Sequence, residues 1–234
     1  MAAPLVRSSS SRYRRLLQMG DRNIISKLEV RKRFPSAVEK AVNLRAMLQW
    51  GASGYRIPSP PMVKRAAIRR NAVHGGTFVE TGTFFGDTSA YACRFSTKVI
   101  TLEPARELYE AAVRRFSRKR PQVELINATS EEAFPGLVPR LEGDITFWLD
   151  GHYSGGITYE GEQHTPLLRE LECIGPHVGR FGRLAVLVDD IHACGTNPAY
   201  PPMSMVLDWA RAHGLPWHIE HDILVMTKPA AQLR

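Results

Sequence analysis

Three carboxylates and two histidines stand at matched places in the chain: Asp150, the pair Asp189-Asp190, His152 and His192. Asp150 ends the run Asp144-Ile-Thr-Phe-Trp-Leu-Asp150, and Asp189-Asp190 follows Leu184-Ala-Val-Leu-Val188. Both runs have the length and apolar continuity of strands buried on two faces. Carboxylates at the carboxyl ends of neighbouring parallel strands converge on one crevice. Three hard oxygen ligands there suit Mg²⁺, which takes a few carboxylates and keeps waters or substrate oxygens. A metal held by Asp150, Asp189 and Asp190 would bind a substrate hydroxyl and lower its pKa, making the oxygen a nucleophile. His152, two residues beyond Asp150, is the choice for general base, since an unperturbed imidazole titrates near neutrality. The pairs Asp150-x-His152 and Asp190-x-His192 also permit a mixed imidazole and carboxylate site for Mn²⁺, Fe²⁺ or Zn²⁺. The structural alternatives are an Asx turn at Asp189-Asp190 and a loop hydrogen bond at each histidine, the preferred reading for His192.

These groups need a scaffold, and it is organised around Thr77-Phe-Val-Glu80-Thr-Gly82-Thr-Phe84-Phe-Gly86-Asp-Thr88. Thr77 to Val79 read as a strand, and Gly82 and Gly86 as a turn that lets backbone or ligand come close. Asp87, Thr88 and Ser89 offer N-cap chemistry for a helix through about Phe95. The spacing E-x-G-x-x-x-G differs from the dinucleotide fingerprint G-x-G-x-x-G. A carboxylate two residues before the first glycine is a poor neighbour for pyrophosphate and a good one for a cation. S-adenosylmethionine carries a sulfonium and an ammonium and no phosphate, so Glu80, Gly82 and Gly86 favour that ligand over NAD. A glycine turn kept only for packing is the structural alternative. Lys98 to Leu102 is a second strand ending in Glu103, 21 residues after Gly82, where an acid accepts ribose hydroxyls.

The remaining elements alternate. Ala105 to Lys119 reads as a basic amphipathic helix, Val123 to Asn127 as a third strand, and Ala128 to Glu131 as a loop where an adenine edge would lie. Thr165 to Gly175 and Met203 to His213 read as helices, and Trp217 to Glu220 and Asp222 to Lys228 as two closing antiparallel strands. The fold class is therefore α/β: a Rossmann-like, doubly wound, mostly parallel sheet with an antiparallel C-terminal strand and an N-terminal helical extension. Residues 1–61 are expected to form a basic helical arm or lid, and residues 62–234 the main domain.

The net charge of +8 is unevenly spread. Residues 1–73 hold 16 Lys/Arg against 3 Asp/Glu, a balance of +13; residues 74–234 hold 15 against 20, a balance of −5. A basic arm of this kind meets nucleic acid, an anionic surface or an acidic partner, or serves as a solvated lid or oligomerisation arm. The run is short of the aromatic interleaving that single-stranded nucleic acid uses, so nucleic acid is not the favoured partner. Three cysteines without C-x-x-C spacing point to a reducing, cytoplasmic compartment, and no run is long enough to span a membrane.

The runs VETGTFFGDTS, VITLEP, VELINATSEEAFPGL, FWLDGHY and LVDDIH follow in the order found in class I adenosylmethionine-dependent methyltransferases, which the chain resembles over about residues 62–228. Within that group it is most similar to the metal-dependent O-methyltransferases of the catechol and macrolide-sugar type. The resemblance implies Glu80, Gly82, Phe84, Gly86, Thr88, Glu103 and Ser130 for the cofactor, and Asp150, Asp189 and Asp190 for Mg²⁺. It departs from the catechol pattern after Asp150, where those enzymes carry a lysine base and this chain has Gly151-His-Tyr-Ser-Gly-Gly156. The expected activity is metal-assisted O-methylation of a hydroxylated small molecule or sugar, with His152 and Asp150 at the reacting centre. Two other readings are a methyltransferase acting on RNA or another polyanion, and an adenosyl-binding protein of the same fold without turnover. A homo-oligomer through the N-terminal helices is compatible with all three.

Overall fold

The computed structural model describes residues 35–117, 120–150 and 165–228. Among them the strands are β1 (Thr77–Thr81), β2 (Lys98–Leu102), β3 (Val123–Ile126), β4 (Ile145–Leu149), β5 (Leu184–Val188), β6 (Trp217–Glu220) and β7 (Ile223–Lys228). They form one sheet in the order β3-β2-β1-β4-β5-β7-β6. β1 to β5 are parallel, while β7 runs antiparallel between β5 and β6. The described helices are α1 (Pro35–Ala52), α2 (Pro61–Asn71), α3 (Asp87–Ala92), α4 (Arg106–Phe116), α5 (Ser130–Leu137), α6 (Leu167–Ile174) and α7 (Met203–Ala212). The α/β class and the antiparallel closing pair are as the sequence leads one to expect.

Side chains alternate across a strand, so each central strand feeds two cores. Val79, Phe147, Leu149, Val186 and Val188 face one side with Phe134 of α5, Leu167 and Leu171 of α6 and Val206 of α7. Phe78, Trp148, Ala185 and Leu187 face the other with Ala67 and Ile68 of α2 and Ala92 of α3. β4 and β5 are buried along their whole length. That is why both read as unbroken apolar runs rather than as alternating ones.

The register puts the candidate chemistry at one level. Thr81 pairs with Leu102 and with Leu149, and Leu149 pairs with Val188. Gly82, Glu103, Asp150 and Asp189 each stand one residue past those paired ends. The chain runs outward from β1 through β2 to β3, then crosses back to β4 on the other side of β1. The crevice above β1 and β4 is thus the reversal point of strand order, where open α/β sheets hold ligands.

Several boundaries differ from the sequence reading. α3 ends at Ala92 and α4 at Phe116, short of Phe95 and Lys119. Gly86, in the left-handed conformation, caps α3 in place of the expected side-chain oxygens. Ser130 opens α5 rather than lying in a loop, because Thr129 and Glu132 form a reciprocal capping box. Pro166 is the N-cap of α6, one place earlier than the first helical position. Leu44 and Leu48 of α1, which recur at helical spacing, are 62 % and 66 % exposed. The basic stretch before residue 35 and His152 lie outside the described residues. No helix among the described residues is long and apolar enough to cross a membrane.

Candidate active site

Glu80 points from the middle of the sheet, with 1 % of its surface exposed. Its Oε2 accepts a 2.7 Å hydrogen bond from the Thr101 hydroxyl and a short one from the Ser89 hydroxyl. Burial pushes its pKa up from 4.5 to about 8; the two hydroxyls pull the other way, and Asp150 and Glu103 add to the rise. Gly82 and Gly86 have φ of +88° and +74°, so the turn between β1 and α3 uses left-handed backbone twice. Phe84, between them, is also left-handed at φ +49° and packs its ring 4.0 Å from that of Phe85. Thr88 lies in the first turn of α3.

Glu103 is fixed from below by the main chain. Its Oε2 accepts from the Phe84 N–H at 2.7 Å and its Oε1 from the Ala105 N–H at 3.0 Å. Burial raises its pKa against those two donors. Each carboxylate oxygen keeps a second lone pair for a ligand hydroxyl. Ser130 is buried at the start of α5. Beside it sits Glu170, an acid on the apolar stripe of α6, 2 % exposed, whose Oε1 has no hydrogen-bond partner. Burial pushes Glu170 up to about 7, with Ser130 and Thr81 opposing the shift and Glu131 and Asp150 reinforcing it.

Asp150 is held where β4 meets β1, its N–H donating to Thr81 Oγ1 at 3.1 Å. Its charge is felt by Glu80, Glu170, Asp189 and Tyr200 alike. Asp189 is buried, and Asp190 beyond it takes the left-handed conformation at φ +49°. A non-glycine residue there is uncommon, though aspartate is among those that adopt it most readily. Here the Asp190 N–H bonds to the Asp189 Oδ1 at 2.9 Å, a contact between adjacent residues and not the i to i+2 bond of an Asx turn.

The structure adds three groups that sequence spacing did not bring forward. Lys64 of α2 reaches across to the acidic pair, with Nζ 2.7 Å from Asp189 Oδ1 and 2.7 Å from Asp190 Oδ1. Burial alone would lower the lysine pKa, but Asp189 and Asp190 outweigh it and hold the ammonium charged well above its ordinary range. Burial and Asp150 push the Asp189 carboxyl upward, against the pull of Lys64. Asp222, 5 % exposed, receives His192 twice, from the backbone N–H at 2.9 Å and from Nδ1 at 2.6 Å. Asp190, His192 and Asp222 form the one three-residue group among the described residues whose ligand atoms all lie within 4.8 Å of one another. Tyr200 lines a small cleft with Glu170, Asp189, Leu149, Val188 and Leu167.

Of the positions named from the sequence, His152 lies outside the described residues and the others stand at the strand ends and in the segments that follow them. Glu80, Gly82, Glu103, Asp150, Asp189 and Asp190 share one crevice rim, and Ser130 joins them through Glu170. A signal for Glu170 was present, since an acid three residues after Leu167 and four before Ile174 falls on the buried stripe of a helix. Asp222 also left a trace. His221 and Asp222 both have positive φ in a two-residue hairpin loop, where the second place normally takes glycine. Aspartate there trades turn preference for the contact with His192. Lys64 left none, because 125 residues separate it from Asp189.

No protein-family model matches the chain, and no curated protein matches it. Its fold is similar to that of solved methyltransferase structures. A putative caffeoyl-CoA O-methyltransferase from Staphylococcus aureus is 16% identical, over 89% of this chain and 100% of that one, with a TM-score of 0.48. An rRNA methylase from Streptococcus thermophilus is 18% identical over 75% and 99%, with a TM-score of 0.44. A putative methyltransferase from Streptococcus mutans, in complex with SAH, is 12% identical over 74% and 98%, with a TM-score of 0.46. At these identities the likeness is one of fold, and it says nothing of the site or the reaction.

Proposed function

We propose that this protein is an S-adenosylmethionine-dependent methyltransferase acting on a hydroxyl of a small molecule. The observation that carries the reading is the electrostatics of the crevice at the strand ends. Glu80, Glu103 and Glu170 are buried there with their ionisation disfavoured by burial, and the Asp150 charge disfavours it further in Glu80 and Glu170. A rim of this kind repels phosphate and rewards a ligand that brings positive charge. Adenosylmethionine fits that donor set: its cationic end would lie by Glu80 and the turn of Gly82, Phe84, Gly86 and Thr88, its ribose at Glu103, and its adenine beside Ser130. When bound it supplies a methyl group on a positively charged sulfur.

The chain's own residues would do the rest. Two imidazoles enter as the base, His152, outside the described residues, and His192. Of the two, His192 is the one whose surroundings are described. Asp222 accepts from Nδ1, which fixes the tautomer and leaves the Nε2 lone pair to take the proton of the acceptor hydroxyl. Asp150 and the acidic pair set the field in which that oxygen becomes negative. The three carboxylates are hard donors of the kind Mg²⁺ takes, but Lys64 already lies between two of them, so no step is assigned to a divalent ion.

The test is calorimetric titration of the protein with adenosylmethionine and adenosylhomocysteine. Binding of both is expected, with Glu103→Ala weakening each at least about tenfold, about 1.4 kcal/mol. No binding of either to folded protein would overturn the reading. Methyl transfer is then followed by mass spectrometry across hydroxylated acceptors, and methylation only at nitrogen or carbon would correct the acceptor class.

A further inference from the structure

We propose that the cation shared by Asp189 and Asp190 is the protein's own, the Lys64 ammonium, and that this place takes no divalent metal. The inference does not depend on methyl transfer. It starts from position: a single nitrogen lies 2.7 Å from one oxygen of each carboxylate. Those are charge-assisted hydrogen bonds of ordinary length, and they use the oxygens that a bridging ion would need. Mg²⁺ requires oxygens at about 2.0–2.1 Å in near-octahedral array and parts with its waters reluctantly. An ion bridging those same two oxygens would have to expel the ammonium.

Expulsion is opposed by how α2 is mounted. Ala67 and Ile68, one turn beyond Lys64, are each 1 % exposed in the core beneath the sheet. At the far end of the helix, Arg70 pairs with Glu220 at 2.5 Å and Asn71 donates to the same carboxylate. Lys64 therefore extends from a helix anchored one and two turns beyond it, and only 14 % of its side chain is exposed. The N-terminal end of α2, with Pro60 and Pro61 and no acid in its first turn, is also the end that favours nearby carboxylates. Two of the three ammonium donors are used by Asp189 and Asp190. The third can meet an acceptor oxygen, the task a metal would otherwise perform, and this last clause alone rests on the methyl-transfer reading.

The experiment uses the full chain and MgCl₂ alone, read by calorimetry and by thermal unfolding. Wild type is expected to give no binding heat and no change in Tm at millimolar Mg²⁺. Lys64→Ala is expected to lower Tm by about 5 °C or more, because it leaves the buried Asp189 and the half-buried Asp190 side by side without this counter-charge. Millimolar Mg²⁺ should then recover part of that loss, and Asp189→Asn added to Lys64→Ala should abolish the recovery. Stoichiometric Mg²⁺ binding by wild type, lost in Asp189→Asn, would overturn the proposal. So would a Lys64→Ala protein as stable as wild type. If Lys64→Ala fails to fold, the wild-type titration still decides, and Lys64→Arg, which keeps the cation, should remain folded and insensitive to Mg²⁺.

Discussion

Replacing Glu80 by glutamine tests whether the crevice is strained by its own acidity. Burial lifts Glu80 from 4.5 to about 8. In the unfolded chain it ionises above 4.5, while in the fold it keeps its proton until the pH nears 8. The folded state therefore binds more protons across that window, and stability falls as pH rises through it. At 1.36 kcal/mol per pKa unit, the loss by pH 8 is on the order of 3–5 kcal/mol. Glutamine carries no charge at any pH, and its carbonyl oxygen can still accept from Ser89 and Thr101. Its buried amide adds a cost of about 1–3 kcal/mol that does not change with pH. The prediction is thus a difference in slope. Urea unfolding followed by tryptophan fluorescence from pH 5 to pH 8 should show wild type losing stability steeply and Glu80→Gln losing less. The gap should widen by on the order of 3 kcal/mol over the range. Adenosylmethionine binding should release a proton from wild type near pH 7, read as buffer-dependent heat, and release less from the variant. Parallel stability curves for the two proteins would refute the placement of an uncompensated carboxyl at Glu80.

Gly86→Ala should cost about 2–4 kcal/mol in denaturant unfolding, since left-handed backbone disfavours a Cβ, and the added atom would lie 2.7 Å from the buried Phe116 ring. Glu170→Gln should stabilise the protein by about 3 kcal/mol at pH 8 relative to pH 5, because the wild-type carboxyl, pushed up to about 7 by burial, resists ionising in the fold; pH-independent Tm differences would contradict it. Asp222→Ala and Asp222→Gly both remove the two bonds to His192, but the glycine variant should be the more stable by about 1 kcal/mol, because Asp222 sits at φ +68°. Both should show a broadened His192 side-chain signal in nitrogen-detected NMR, and an unchanged signal would mean that the pair does not hold the ring.

The parts of the site that were legible in the sequence are those set by strand ends. Asp150 and Asp189 follow runs whose apolar continuity marks central strands, and parallel register brings such ends to one level whatever lies between them. Glu103 was legible through its distance from Gly82, which is fixed by one helix and one strand. Lys64 and Asp222 were not, because each meets its partner through packing rather than through a strand end. The angle at which α2 crosses the sheet decides where Lys64 arrives, and no local spacing encodes that angle. The cap of α5 is written in Thr129-x-x-Glu132, but it follows the strand Val123–Ile126 so closely that the spacing alone leaves Ser130 in the connecting loop, whereas the capping box starts the helix at Ser130. For Asp189-Asp190 the spacing called for a divalent metal, Mg²⁺ first, and did not bring forward the lysine that lies against both carboxylates.

The place of β7 has a bearing on how the molecule is made. It is the last strand described, yet it lies inside the sheet, with β5 on one side and β6 on the other. Until residues 223–228 leave the ribosome, the backbone N–H and C=O groups along that edge of β5 have no strand to bond. β6 cannot close that edge alone, since it bonds to β7 and not to β5. Asp222, on the turn that leads into β7, arrives at the same moment, so His192 acquires its partner only as the sheet is sealed. A nascent chain therefore lacks the His192–Asp222 pair while the edge of β5 is open, and forms it in the step that completes the sheet.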